Sequence, residues 1–255
     1  MIVGSGAYAP RPTLYAQRTM DPHDVSMSRE HRIETRRSAR YYALGPDDGS
    51  ASELWFVIHG YGQLAAQFIR VFEAIDDGTR RIVAPEALNR FYLVAADSVP
   101  AADRPVGATW MTREDREHEI EDYIAYLDRV ASKALEGFAA QSVPPRMVVL
   151  GFSQGTATVG RWITRGTIRP AHVIIWGGFL PPELDLSSPG ETLRTSSLHV
   201  LIGERDRFTS ADQVVEEDQR LRSSGVPYEL IRYPGGHGIS RERLIELARS
   251  LASGA

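Results

Sequence analysis

From Leu54 onward the chain alternates short apolar runs with longer stretches of helical period, and this alternation restricts its possible folds more than any other feature. The runs fall at residues 54–58, 82–84, 147–150, 173–176, 198–202 and 228–233. None keeps a strict apolar–polar alternation, so each suits a strand covered on both faces, as in a parallel sheet. The intervening segments 64–74, 113–136, 154–164, 211–223 and 239–251 read as helices. Strand and helix in repeated succession predict the α/β class: a mostly parallel central sheet with helices on both faces. Some boundaries carry their own chemistry. Ser210 with Gln213 three residues on forms a capping box, and Gly225 stands where that helix should end.

One layered unit of this kind accommodates residues 29–255 as a single catalytic-sized domain. Residues 1–28, with Pro10, Pro12 and Pro22, follow neither a strand nor a helix period and are expected to form a loose N-terminal arm. The run 29–40 places five arginines among Glu30, Glu34 and His31, which reads as a solvated strand face rather than an anion site. A formal net charge of −4 gives no long-range attraction for phosphate backbones or anionic membranes, so no nucleic-acid partner is expected. Without cysteine there is no disulfide frame, thiolate nucleophile or Cys-ligated metal. No apolar stretch reaches the roughly 18 residues of a membrane span, and residues 1–26 lack the pattern of a secretory signal, so a cytoplasmic protein is expected. None of the seven histidines has the spacing of a zinc motif, and neither a metal nor a cofactor is implied.

The chemistry concentrates in 147–155, MVVLGFSQG, where an apolar strand runs through Gly151, Phe152, Ser153, Gln154 and Gly155 into a helix. At such a junction G-x-S-x-G forms a sharp turn that lifts the serine hydroxyl above the sheet, and the glycines let strand and helix backbones pass closely. The plain alternative is a glycine-rich helix start capped by serine. An unassisted serine is a poor nucleophile and needs a base and a group to orient that base. On a sheet of this kind the acid and then the histidine follow in loops after later strands. Asp206 stands in Gly203-Glu204-Arg205-Asp206 after the run 198–202, and His237 stands among glycines after the run 228–233. Glu204 is an alternative acid. His172 and His199 fall in strands and read as structural; His23, His31 and His118 read as surface residues. The run 54–58 ends in His59-Gly60-Tyr61-Gly62-Gln63, a turn able to offer the backbone N–H of Tyr61 beside that of Gln154 as donors to an oxyanion.

These segments, with Gly177-Gly178-Phe179-Leu180-Pro181, resemble the α/β-hydrolase superfamily, and within it the phospholipase/carboxylesterase group that includes acyl-protein thioesterases. The resemblance covers about residues 54–251 and implies a serine esterase acting on small to medium carboxylic esters or thioesters, with Ser153, Asp206 and His237 as triad. It also suggests, as alternatives, a deacylase of lipidated proteins or lysophospholipids, or a silent binding module on the same fold. Thr156, Tyr61 with Gln63, and Arg207 with Phe208 depart from the group's usual wording, which puts substrate choice in doubt rather than the triad. Trp110, Met111, Phe179, Leu180 and Phe208 are candidate pocket residues, and the segment 91–112 is a candidate cover over the site.

Overall fold

The computed structural model describes residues 29–95, 98–186 and 191–253. The described residues fall into two units, divided between Ser38 and Ala39. The expected arm at 1–28 lies outside the described residues; 29–38 are exposed and have no regular secondary structure. The strand face expected for 29–40 is therefore corrected, and the first strand begins at Tyr41. The physical reason is pairing: an extended segment becomes a strand only where a neighbour accepts its hydrogen bonds, and that neighbour is first met from Tyr41 onward.

The second unit contains nine strands among its described residues: β1 (Tyr41–Leu44), β2 (Glu53–Ile58), β3 (Arg80–Pro85), β4 (Asn89–Tyr92), β5 (Val106–Thr109), β6 (Arg146–Phe152), β7 (His172–Trp176), β8 (Ser197–Gly203) and β9 (Tyr228–Tyr233). Seven of them make one sheet in the order β1-β3-β2-β6-β7-β8-β9, while β4 and β5 pair with each other as a separate antiparallel ribbon. Every pairing in the large sheet is parallel except that of β1 with β3. The chain winds from β2 outward to β3 on one side and returns to place β6 on the other, so the order reverses between β2 and β6. Crevices at the carboxyl ends of strands open at such a reversal.

The helices are α1 (Ala65–Phe68), α2 (Arg116–Glu136), α3 (Gln154–Arg165), α4 (Glu191–Thr195), α5 (Ala211–Ser224) and α6 (Arg241–Ser253). On one face of the sheet Leu54, Phe56 and Ile58 of β2 pack with Ile120, Leu127, Val159 and Trp162 of α2 and α3. On the other, Trp55 and Val57 pack with Phe68, Phe72 and α6 residues Leu244 and Leu251. Two apolar covers explain why the strands show no polar alternation. α5 opens with the expected capping box, Ser210 with Gln213, and ends at Gly225 in the left-handed region at φ 69°. The helix expected at 64–74 instead shortens to α1 followed by a 3₁₀ turn, Ile69–Ile75. Buried Ile69, Phe72 and Ile75 recur every third residue, the repeat of a 3₁₀ rather than an α-helix.

At the amino ends of the strands lies a buried ionic cluster. The Glu53 carboxylate accepts from Arg80 Nε (2.9 Å), Arg146 Nη2 (2.6 Å) and Trp55 Nε1 (2.9 Å). Register sets it: Glu53 opposes Arg80 on one side and Arg146 on the other.

Candidate active site

Ser153 directly follows β6 and caps α3 with φ 53° and ψ −118°, a region that non-glycine residues rarely occupy. The strain is maintained by close passage of backbones: a Cβ on Gly151 would lie 2.4 Å from the Gly155 carbonyl oxygen, and one on Gly155 2.3 Å from that of Ile58. The Ser153 N–H donates to the Trp176 carbonyl at 2.9 Å, fixing the turn against β7.

The loops after β8 and β9 are tied side by side, because Glu204 N–H donates to the Tyr233 carbonyl (2.9 Å) and Arg205 N–H to that of Gly235 (2.8 Å). They carry Asp206 and His237. Asp206 is 7% exposed; its Oδ2 lies 2.8 Å from His237 Nδ1, and its Oδ1 accepts from the Phe208 N–H at 2.8 Å. A carboxylate at Nδ1 selects the tautomer with the proton there, which leaves Nε2 free to accept. His237 Nε2 stands 2.9 Å from Ser153 Oγ. The imidazole is held between Phe152 and Phe208, with ring centroids at 5.0 and 4.6 Å. Tyr233 accepts from Trp176 Nε1 (2.8 Å) and donates to the Gly238 carbonyl (2.7 Å), bracing the histidine loop from beneath. Glu204, the alternative acid, is exposed and forms no contact with this imidazole among the described residues.

The turn 60–63 sits beside the elbow: a Cβ on Gly60 would touch Ser153 Cβ at 3.1 Å. Gln63, whose role no local pattern signals, accepts the Gly60 N–H on its side-chain oxygen at 2.8 Å and closes the turn. The N–H groups of Tyr61 and Gln154 meet no acceptor among the described residues. Ser153 and His237 open onto a cleft of about 600 Å³ walled by Phe179, Leu180, Pro181, Pro182, Phe208 and Tyr61, and among the described residues no Lys, Arg, Asp or Glu lines it. Of the candidate pocket residues, Phe179, Leu180 and Phe208 are therefore at the cleft. Trp110 and Met111 are not among its lining residues. Trp110 is 1% exposed, with its indole donating to the His59 carbonyl at 2.9 Å, and Met111 packs toward Arg161. Within the segment 91–112 lie the end of β4 and all of β5, with residues 107–110 buried. Phe152, against the His237 ring, is marked in the sequence only by its place at the first variable position of G-x-S-x-G.

His59 is fully buried, and its pKa is lowered by that burial. Its Nε2 accepts the Ala87 N–H (3.0 Å) and its Nδ1 donates to the Gly60 carbonyl (2.8 Å), an arrangement that suits the neutral ring. Burial likewise lowers His172, with His199 and Arg146 adding repulsion. A histidine whose pKa is depressed on folding contributes stability above its unfolded value near 6.5, and that stability is lost as pH falls through the folded value. The free energy of urea unfolding is therefore expected to fall from pH 7.5 to 5.5. Asp77, Glu86 and Glu183, whose pKa values lie below the ordinary carboxylate range, stay ionised across that interval. Stability that holds or rises there would contradict the neutral assignment.

Among the described residues no group of three or more His, Asp or Glu side chains could hold a metal ion, and no helix is long and apolar enough to cross a membrane. Several solved structures share the fold. Acyl-protein thioesterase 2 of Zea mays is similar over 85% of this chain and 99% of its own, with 17% identity and a TM-score of 0.62. A phospholipase/carboxylesterase of Dyadobacter fermentans is similar over 87% and 100%, with 18% identity and a TM-score of 0.63. A carboxylesterase of Bacillus cereus is similar over 85% and 95%, with 11% identity and a TM-score of 0.62. These likenesses place the chain in the α/β-hydrolase fold. No curated protein sequence matches the chain. The serine hydrolase (FSH1) family model matches residues 55–246, well over half of the sequence, and the chain belongs to that family.

Proposed function

We propose that this serine hydrolase cleaves carboxylic esters or thioesters of small to medium, uncharged acyl groups through an acyl-enzyme on Ser153. The observation that supports this most is the unbroken series of carboxylate, imidazole and hydroxyl, with contacts of 2.8 and 2.9 Å, ending on a strained serine at a cleft. In this reading Ser153 Oγ bonds to the acyl carbon as its proton passes to His237 Nε2, and the carbonyl π pair moves onto oxygen. The N–H groups of Tyr61 and Gln154 receive that oxyanion. Its collapse breaks the bond to the alkoxide or thiolate, which takes the proton from Nε2. Water then gives a proton to Nε2 as it attacks the acyl-enzyme, and the second intermediate collapses to release the acid while Ser153 Oγ takes that proton back from Nε2. Asp206 stabilises the imidazolium in both halves.

That no charged side chain lines the cleft among the described residues supports a neutral acyl portion, since a buried carboxylate or phosphate would have no partner among them. The same apolar wall also fits a longer chain, as a deacylase of lipidated substrates would need. A panel of p-nitrophenyl esters from acetate to palmitate separates the two. The expected maximum lies at butyrate to octanoate, with the half-ester of succinate turned over poorly. Rates that climb to palmitate would favour the deacylase, and no turnover of any ester would overturn the esterase reading.

A further inference from the structure

We propose that the β4–β5 ribbon is the brace that sets the spacing of the two oxyanion donors, and that Thr109 is its positioning residue. This rests on the proposed esterase function. The donors belong to separate segments: Tyr61 follows β2, and Gln154 follows β6. Strand pairing brings their bases together, with Ile58 opposite Gly151, but both donors lie beyond the last paired residues. Residues 107–111 span the gap. On one side Gly62 N–H donates to the Ala108 carbonyl (2.8 Å), and Ala108 N–H donates to that of Gln63 (3.3 Å). Contact there is so close that a Cβ on Gly107 would lie 2.4 Å from the Gly62 carbonyl oxygen. The Trp110 indole adds a bond to the His59 carbonyl at 2.9 Å.

On the other side the ribbon grips the Gln154 side chain. Its Nε2 donates to Thr109 Oγ1 (2.9 Å) and to the Met111 carbonyl (3.0 Å), and its Oε1 accepts the Trp110 N–H (3.2 Å). The Thr109 hydroxyl, on a residue 4% exposed, in turn donates to the Met111 carbonyl at 2.9 Å. A residue expected to offer only its backbone N–H is thus anchored by its side chain to the strand that also holds the opposite donor. Five residues of one strand and its exit fix both halves of the hole, and a shift of the ribbon displaces the donors relative to each other. Such sites tolerate only about 0.5 Å of misplacement.

Thr109→Val keeps the side-chain shape and removes the hydroxyl. Deleting an oxyanion donor costs about 10²–10³ in kcat, so displacing one is expected to lower kcat by roughly 10- to 100-fold, with KM held within about twofold. Thr109→Ser is expected to restore most of the rate. A merely structural role would not move a second readout, the ratio of ester to thionoester turnover. Sulfur is a weak acceptor and gains little from the hole, so a loosened hole lowers the ester rate more than the thionoester rate. Gln154→Ala, which keeps the backbone N–H and loses the anchor, is expected to lower the same ratio, and thermal unfolding of each variant reports whether it is folded. Wild-type turnover shows that the esterase reading stands before the variants are read. If Thr109→Val and Gln154→Ala are folded and keep the wild-type ratio, or if ester and thionoester rates fall in equal proportion, the brace is refuted while the esterase stands. If the wild type hydrolyses neither substrate, both fall together.

Discussion

Ser153→Ala and His237→Ala are each expected to lower kcat/KM by roughly 10⁴- to 10⁶-fold, with the double variant no slower than the slower single one. Non-additivity is the informative part. The 2.9 Å contact between Oγ and Nε2 makes the pair one device: without the base the hydroxyl keeps its proton, and without the hydroxyl the base has nothing to activate. At about 1.36 kcal/mol per tenfold, each loss corresponds to about 5–8 kcal/mol of transition-state stabilisation. Steady-state rates on the preferred p-nitrophenyl ester measure this directly. Losses that multiply would mean that Ser153 and His237 act in separate steps.

The largest effect on stability is expected far from the cleft, at Glu53. This carboxylate is 1% exposed and is the common acceptor for Arg80, Arg146 and Trp55. Arg80, 5% exposed, keeps only Asp77 as a charged partner among the described residues if Glu53 is removed. Breaking a buried pair by deleting one partner costs about 3–5 kcal/mol, because it strands the other charge. For a domain of this size Glu53→Ala is thus expected to lower Tm by about 6–20 °C. Turnover per folded molecule should not change, since Glu53 opens β2 and the proposed catalytic turn follows its far end. A calorimetric scan paired with active-site titration checks both halves. A Tm shift of less than about 2 °C would show that the cluster contributes little net stability.

What the sequence disclosed depended on how local the signal was. β2, β6, β7 and β8 were legible because both faces of the sheet are covered there, so each strand carries a run of buried apolar positions. The elbow and the two loops carrying Asp206 and His237 were legible because their order along the chain follows from a parallel sheet, and each is marked by glycine. β4 and β5 were not: NRFY and VGAT are four-residue strands with half-exposed or glycine-bearing patterns, and they exist only through pairing with each other. Trp110 shows the same limit at one residue. An aromatic side chain near a site reads alike whether it walls a cavity or fills the core, and here a bond to the His59 carbonyl, 51 residues away, decides for the core. The Glu53 cluster depends on register across 27 and 93 residues, and no local pattern encodes that.

The proposed covalent step at a single oxygen can be tested by treating the folded protein with a fluorophosphonate probe and mapping the adduct by peptide mass spectrometry. Labelling is expected on the peptide containing Ser153, at one equivalent per chain, and is expected to vanish in Ser153→Ala. An adduct on any other residue, or labelling that persists in Ser153→Ala, would contradict the assignment.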